Sequence, residues 1–372
     1  MSKKLYNESS VQNIANAIRT FKEEVSTIKY KIADMATAIS GFKKTLTVNI
    51  TNGTIIKGSD AVFVNNIIRI IITPNSGYKL PDDVTVTNAT KSYNKLTGIL
   101  EISIPTDNVT VTIDCPTEAF DPTAADWYNH TDLCKESDIG IETTISINGV
   151  DHHLRLIGID HDDLADGTGK AHTTWQLVEL MSDSSGATLT QKWNASYTDP
   201  YFNIWNNGTQ SCDIRNYLRT TFKGYLPTDL QSKIKTIKKK TSAGNESTTV
   251  NELEEDIFLL SVKEICSDAA IQAAKDASHW GTSPDVLKQE GNQYKFFADN
   301  LPDTDPYNWD STLTDAQKAI VIKKDKSGAA YYWWLRSPYV DYTYSAFIVN
   351  PTGYVDGNGV RNAYGVAPAF CI

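Results

Sequence analysis

At Gly41 the spacing of apolar residues changes period, and few architectures accommodate both sides of that change. Before it, Val11, Ile14, Ile18, Phe21, Val25, Ile28, Ile32, Met35 and Ile39 follow one another in alternating steps of three and four. That is a heptad seam, and it predicts one long helix, or two closely joined, over 9–40. Ser9 and Gln12 fit a capping box at its start, and Gly41 stands where a helix stop belongs. Val and Ile dominate one seam position and Ile recurs at the other, a pattern that shifts helix association towards trimers. Residues 1–42 are therefore expected to form a coiled-coil element for oligomerisation and attachment.

After Thr45 the period becomes two. LTVNI, AVFVNN, IRIIIT, VTVTN, GILEISI and VTVTI are short runs rich in Val, Ile and Thr, separated by turn clusters such as Thr51-Asn52-Gly53 and Pro74-Asn75-Ser76-Gly77. So many strands in so short a stretch predict a small β-sandwich over 43–115, with no histidine and no catalytic cluster, hence a spacer. Residues 116–135, with Pro116 and Pro122, read as a linker. The domain over 136–372 opens with a hairpin turning at Asn148-Gly149. Helices are expected around Ala171–Ser182 and Ile214–Phe222, a strand at Ile257–Ser261, a polar loop-rich stretch to about Gly328, and a β-rich end. The chain as a whole is predicted to be α+β and multidomain.

The formal charge of −10 repels phosphate backbones, so nucleic acid is not an expected partner. The one basic run, Lys233–Lys240, reads as a solvated face. No run approaches the ~18 apolar residues of a membrane span, and no apolar stretch follows the N-terminal lysines, so neither membrane insertion nor a secretory signal is expected. Five scattered cysteines with no CxxC pair fit neither a disulfide framework nor a zinc knuckle.

The last 36 residues, Ser337 to Ile372, contain no Lys, Glu, Gln, Met or Trp, although the preceding 336 contain 62 residues of these types. At that frequency about six or seven would be expected. The five absent types share one property: none has a codon ending in a pyrimidine. Tyrosines in this stretch are interleaved with Asp, Asn, Ser and Gly, a composition that gives stiff amphipathic contact area with adaptable polar groups around it, as in an antibody paratope.

The motif Tyr331-Tyr332-Trp333-Trp334-Leu335-Arg336-Ser337-Pro338, closed by Gly365-Val366-Ala367-Pro368-Ala369-Phe370-Cys371-Ile372, resembles the ends of variable proteins of diversity-generating retroelements. LRLIGIDHDDLADGTGKA, DIRNYLRTTFKGYLPTDL and IKKKTSAGNESTT extend the resemblance over about 140–372. It implies a C-type-lectin-like fold whose codons are rewritten by a reverse transcriptase. Trp333, Trp334, Leu335, Pro338, Phe347, Val349, Gly353, Pro368 and Phe370 would then be scaffold. Tyr339, Val340, Asp341, Tyr342, Tyr344, Tyr354, Asp356, Asn358, Arg361, Asn362 and Tyr364 would be the displayed, ligand-binding set. NESSVQNIANAIRT followed by KIADMATAI is similar to a motif of phage tail-associated proteins, without its usual Lys-Thr-Gly turn. Residues 45–114 resemble bacterial repeat-type immunoglobulin-like modules.

These resemblances imply a receptor-binding protein of a phage tail: a homotrimer joined to virion tail proteins through its N-terminus and binding a host-cell surface receptor, protein or glycan. The alternative is a variable protein displayed on a cell surface. Formylglycine-generating oxidases share the lectin-like fold but use a reactive cysteine pair, which Cys212, Cys266 and Cys371 do not resemble, so an enzyme is not expected. Asp160, Asp162, Asp163, Asp166 and Gly167 fail the calcium-loop template at Leu164. His152 and His153, adjacent on a strand, must face opposite ways, so the histidine cluster with His161 and His172 is not expected to bind zinc. No cofactor and no metal are predicted.

Overall fold

A computed structural model describes residues 12–16, 45–57, 67–103, 107–195 and 203–372. The chain is mixed α+β and divides into two compact units between Glu118 and Ala119. Residues 12–16 are helical; the rest of the expected seam lies outside the described residues, as does the expected strand AVFVNN.

Among the described residues of the N-terminal unit, segments rich in Ile, Val and Thr build seven strands: β1 (Leu46–Thr51), β2 (Gly53–Lys57), β3 (Ile67–Pro74), β4 (Thr85–Thr87), β5 (Thr90–Asn94), β6 (Ile99–Ser103) and β7 (Val109–Asp114). They form a four-stranded sheet in the order β2-β3-β6-β5 and a three-stranded sheet in the order β1-β7-β4, in which β1 and β7 run parallel. One core takes side chains from both: Ile68, Ile70, Ile72, Leu100 and Ile102 from the first, Val109, Val111 and Ile113 from the second. Asn52 turns the chain from β1 into β2 with φ of 57°, a conformation Asn tolerates better than most residues.

The C-terminal unit is organised around a five-stranded sheet in the order β14-β19-β10-β9-β8. Its strands are β8 (Glu142–Ile147), β9 (Val150–Ile159), β10 (Thr173–Leu177), β14 (Ile257–Phe258) and β19 (Ala369–Cys371). Asn148 and Gly149, both at positive φ, make the tight β8–β9 turn. The last strand pairs with both β10 and β14, so the end of the chain lies inside the sheet. The smaller pairings are β11 (Gln191–Lys192) with β18 (Ala363–Tyr364), the hairpin β12 (Ile237–Ser242) with β13 (Val250–Glu255), and the sheet of β15 (Trp333–Pro338), β16 (Ser345–Val349) and β17 (Val355–Gly359).

Several expectations are corrected here. The helix expected around Ala171–Ser182 is strand β10: all five of its residues are buried, paired on both sides, and Thr173, Thr174 and Trp175 suit a pleated surface. Of the expected linker, 116–135, the part from Ala119 belongs to the C-terminal unit, where Trp127 is buried against Trp175 at 4.6 Å and Phe120 packs on the same ring. The stretch to Gly328 carries short helices, Val262–Ile265, Asp268–Asp276, Ser283–Leu287, Lys295–Asn300, Trp309–Thr312 and Asp315–Val321. Most are too short to show a helical period, but capping boxes at Ser261/Glu264 and Thr314/Gln317 mark two of their starts. The expected helix near Ile214–Phe222 is present, α-helical over Asp213–Tyr217 and π-helical over Leu218–Phe222. Among the described residues no helix is long and apolar enough to cross a membrane.

Candidate functional site: the C-terminal face

Strand β15 sets the floor. Trp333, Trp334 and Leu335 are buried, and so is Arg336, at 0% exposure. A buried guanidinium is tolerated only when its donors are satisfied. Here Arg336 pairs with both oxygens of Glu264 (3.0 and 3.1 Å) and donates to Thr241 Oγ1 (2.7 Å) and the carbonyls of Leu259 and Lys240. Ser337 accepts from Val262 N–H (2.9 Å) and donates to the buried Glu290 carboxyl. The scaffold residues Pro338, Phe347, Val349, Gly353, Pro368 and Phe370 are all buried.

The expected displayed residues fall into three groups. Tyr342, Tyr344, Arg361 and Asn362 are exposed, the two tyrosines at 50% and 51%. Tyr339, Asp341, Tyr354, Asp356, Asn358 and Tyr364 are half-buried. Val340 is buried at 2% and is not displayed: its side chain turns into the protein while its N–H donates to Ser283 Oγ at 3.0 Å.

Two of the half-buried residues have structural duties. Asp341 accepts from Thr282 N–H (2.7 Å) and the Thr282 hydroxyl, and it lies so close to Gly281 that a Cβ there would fall 1.8 Å from its Oδ2. Tyr339 stacks on Phe347 (centroids 5.0 Å, 19°) over Gly357, where a Cβ would lie 2.2 Å from the ring. Burial raises the Tyr339 phenol well above its ordinary range and also raises the Asp356 carboxyl. Asn358 is fixed by accepting from Gly359 N–H and from Asn362 Nδ2, each at 2.8 Å.

Aromatic contacts draw in residues from outside the tail. Tyr339, Tyr342 and Tyr344 form a run with centroids 5.5 and 5.6 Å apart. Tyr364 stacks on Tyr332 at 4.8 Å and touches Tyr331 and Trp334. Tyr354 meets Tyr307, which stacks on His279 at 4.0 Å. Tyr331 and Tyr332 open the motif that leads into the tail, whereas nothing in the sequence ties Tyr307 or His279 to it. Tyr344, Gly359, Val360, Arg361 and Asn362 border a depression of about 420 Å³ together with Lys192 and Ala195.

A second depression, about 520 Å³, lies over a buried charge network. Lys239 is 3% exposed and donates to Asp162 (2.5 Å), Glu264 (2.7 Å) and Tyr294 (2.6 Å), so the basic run is not wholly a solvated face. Burial opposes ionisation of Asp162, but the Lys239 charge prevails and holds its pKa at about 2. The other candidate ligands are dispersed: Asp160 contacts His172, Asp166 caps Thr168, His153 contacts Glu179, and His161 stacks on Tyr294. Among the described residues no group of three or more His, Cys, Asp or Glu side chains is arranged to hold a metal ion. All five cysteines are free and buried. Burial pushes the Cys134 thiol up to about 12 and raises Cys212, Cys266 and Cys371 as well, the opposite of the depressed pKa of a reactive thiol.

A family model described as a domain of unknown function (DUF6273) matches residues 185–372. No curated protein and no solved structure matches the chain.

Proposed function

The chain belongs to the DUF6273 family, and we propose that it is a phage receptor-binding protein that recognises a host-cell surface molecule through its C-terminal face. The observation that carries this reading is the division of labour within one short stretch. Apolar residues from Trp333 to Phe370 fill the core, while Tyr342, Tyr344, Arg361 and Asn362 are exposed and lie outside it. Side chains so placed can be exchanged with little effect on folding, and tyrosine among small polar groups is effective contact chemistry. The tail's restriction to residues with pyrimidine-ending codons is what retroelement diversification of the gene would leave.

In this account residues 136–372 are a C-type-lectin-like binding domain, residues 43–115 an immunoglobulin-like spacer, and residues 1–42 a coiled coil that joins three copies to each other and to the virion tail. The mechanism is recognition without chemistry. Each tip binds modestly, and linkage of three raises apparent affinity through effective concentration. The buried, high-pKa cysteines favour this over an oxidase on a similar fold. The test is the gene's locus. A near-copy of the 3′ end should lie beside a reverse transcriptase and differ from it only at adenines, with the differences falling on codons between 339 and 364. A locus without such a copy, or with differences spread evenly through the gene, would refute the retroelement reading.

A further inference from the structure

The loop between β15 and β16 is held largely by its main chain, and among the described residues one from elsewhere in the chain meets three of its carbonyls. Asn203 is fully buried, at 0% exposure. Its Nδ2 lies 2.8 Å from the carbonyl oxygen of Tyr339, 3.0 Å from that of Tyr342 and 2.9 Å from that of Ser345. Three acceptors thus converge on an amide that has two hydrogens to donate, so the loop curls around this single group. Its Oδ1 accepts from Asn245 N–H at 2.8 Å, which fixes the direction of the amide: oxygen towards the β12–β13 turn, nitrogen towards the loop. That turn approaches closely because Gly244, at φ of 72°, has no side chain. A Cβ there would lie 2.8 Å from the Asn203 carbonyl oxygen.

Apart from the two bonds that Thr282 gives to the Asp341 carboxylate, the other bonds into the loop also end on its backbone. Tyr339 N–H donates to Ser345 O (3.0 Å), Ser345 N–H to Tyr342 O (3.1 Å) and Val360 N–H to Tyr344 O (2.9 Å). Val340 N–H donates to Ser283 Oγ at 3.0 Å. Every residue type has the carbonyl that Asn203 grips. Side chains contribute to the loop's seating at Tyr339, Val340 and Asp341, and among the described residues the ring contacts of the exposed tyrosines at 342 and 344 are with tyrosines.

We infer that Asn203 is the positioning residue of the recognition loop, a main-chain clamp that keeps the path of 339–345 independent of the side chains at 342 and 344. Its use to the protein rests on the recognition reading above, but the clamp itself is testable with no ligand at all. A loop held this way presents new side chains at two sites without new backbone geometry. Positions 339 and 341, by contrast, are limited to residues that fit over Gly357 and beside Gly281.

Amide hydrogen exchange on the full chain decides the matter. Asn203→Asp keeps the shape of the side chain but removes both donors and sets an oxygen against three carbonyl oxygens. Exchange at Tyr339, Val340 and Ser345 should accelerate at least about tenfold, while Leu154 and Leu156 in β9 keep their protection. The double variant Tyr342→Ser/Tyr344→Ser should leave the same three amides within about twofold of wild type. Should Asn203→Asp fail to fold, Asn203→Ala, which removes the donors without adding charge, is read in its place. Unchanged loop protection in the Asn203 variant, equal acceleration in β9, or loss of loop protection in the tyrosine double variant each overturns the inference. Loss of host binding by the tyrosine variant with its loop intact bears on the recognition reading alone.

Discussion

Glu290 is fully buried, and its carboxyl oxygens take hydrogen bonds from Ser242 N–H (2.7 Å) and the Ser337 hydroxyl. Burial outweighs these bonds and the nearby Arg336 charge, and its pKa rises from 4.5 to about 7. The folded state therefore holds this proton more tightly than the unfolded chain does. Stability from Glu290 is fully present below about 4.5 and is lost as pH rises through 7. His152 acts in the opposite sense over part of this window. Burial lowers its pKa to about 4, so its contribution is present above 6.5 and is lost as pH falls through 4. Comparing Glu290→Gln with wild type at each pH removes the histidine from the difference. The variant should gain on wild type between pH 4.5 and pH 7.5, by on the order of 3 kcal/mol at the upper end. Denaturant titration across that range is the check, and a difference that does not change with pH would contradict the assignment.

At the scale of elements, β17 depends on having no side chain at Gly357, because the Tyr339 ring occupies that space. Gly357→Ala should displace Tyr339 from Phe347 at a cost of about 1–3 kcal/mol. Thermal unfolding will register the cost, and near-ultraviolet circular dichroism will register the changed tyrosine environment. Unaltered values of both would mean that the ring has room to spare.

The same elements show what could be read in advance. Strands of the N-terminal unit were legible where one face is buried and the other wet, so β7 alternates in sequence, Val-Thr-Val-Thr-Ile-Asp, as it does in burial. The β8–β9 hairpin was legible from Asn148-Gly149. Strand β10 was not, since a strand buried on both faces has no alternation to show. In the face itself, the large scaffold residues could be separated from the rest by type. The burial of Val340 and the duty of Asp341 depend on Ser283 and Thr282, nearly 60 residues earlier, and no local pattern records such a contact. Asn203 is hidden for the same reason, because its partners lie far along the chain.

For the whole molecule, the account requires association through the N-terminal seam. Light scattering of the full chain should give three times its 41.2 kDa mass, and a chain beginning at Ala119 should give the mass of one copy. A monomeric full chain would remove the trimer. The central claim is that the C-terminal face carries exchangeable side chains on a frame that does not need them. Replacing Tyr342, Tyr344, Arg361 and Asn362 together by serine tests it most directly, with melting temperature and adsorption of the labelled protein to host cells measured on the same preparation. The account predicts that adsorption is lost while the melting temperature stays within about 3 °C of wild type, the shift expected of surface substitutions. A collapse in melting temperature, or adsorption that survives all four replacements, would contradict it.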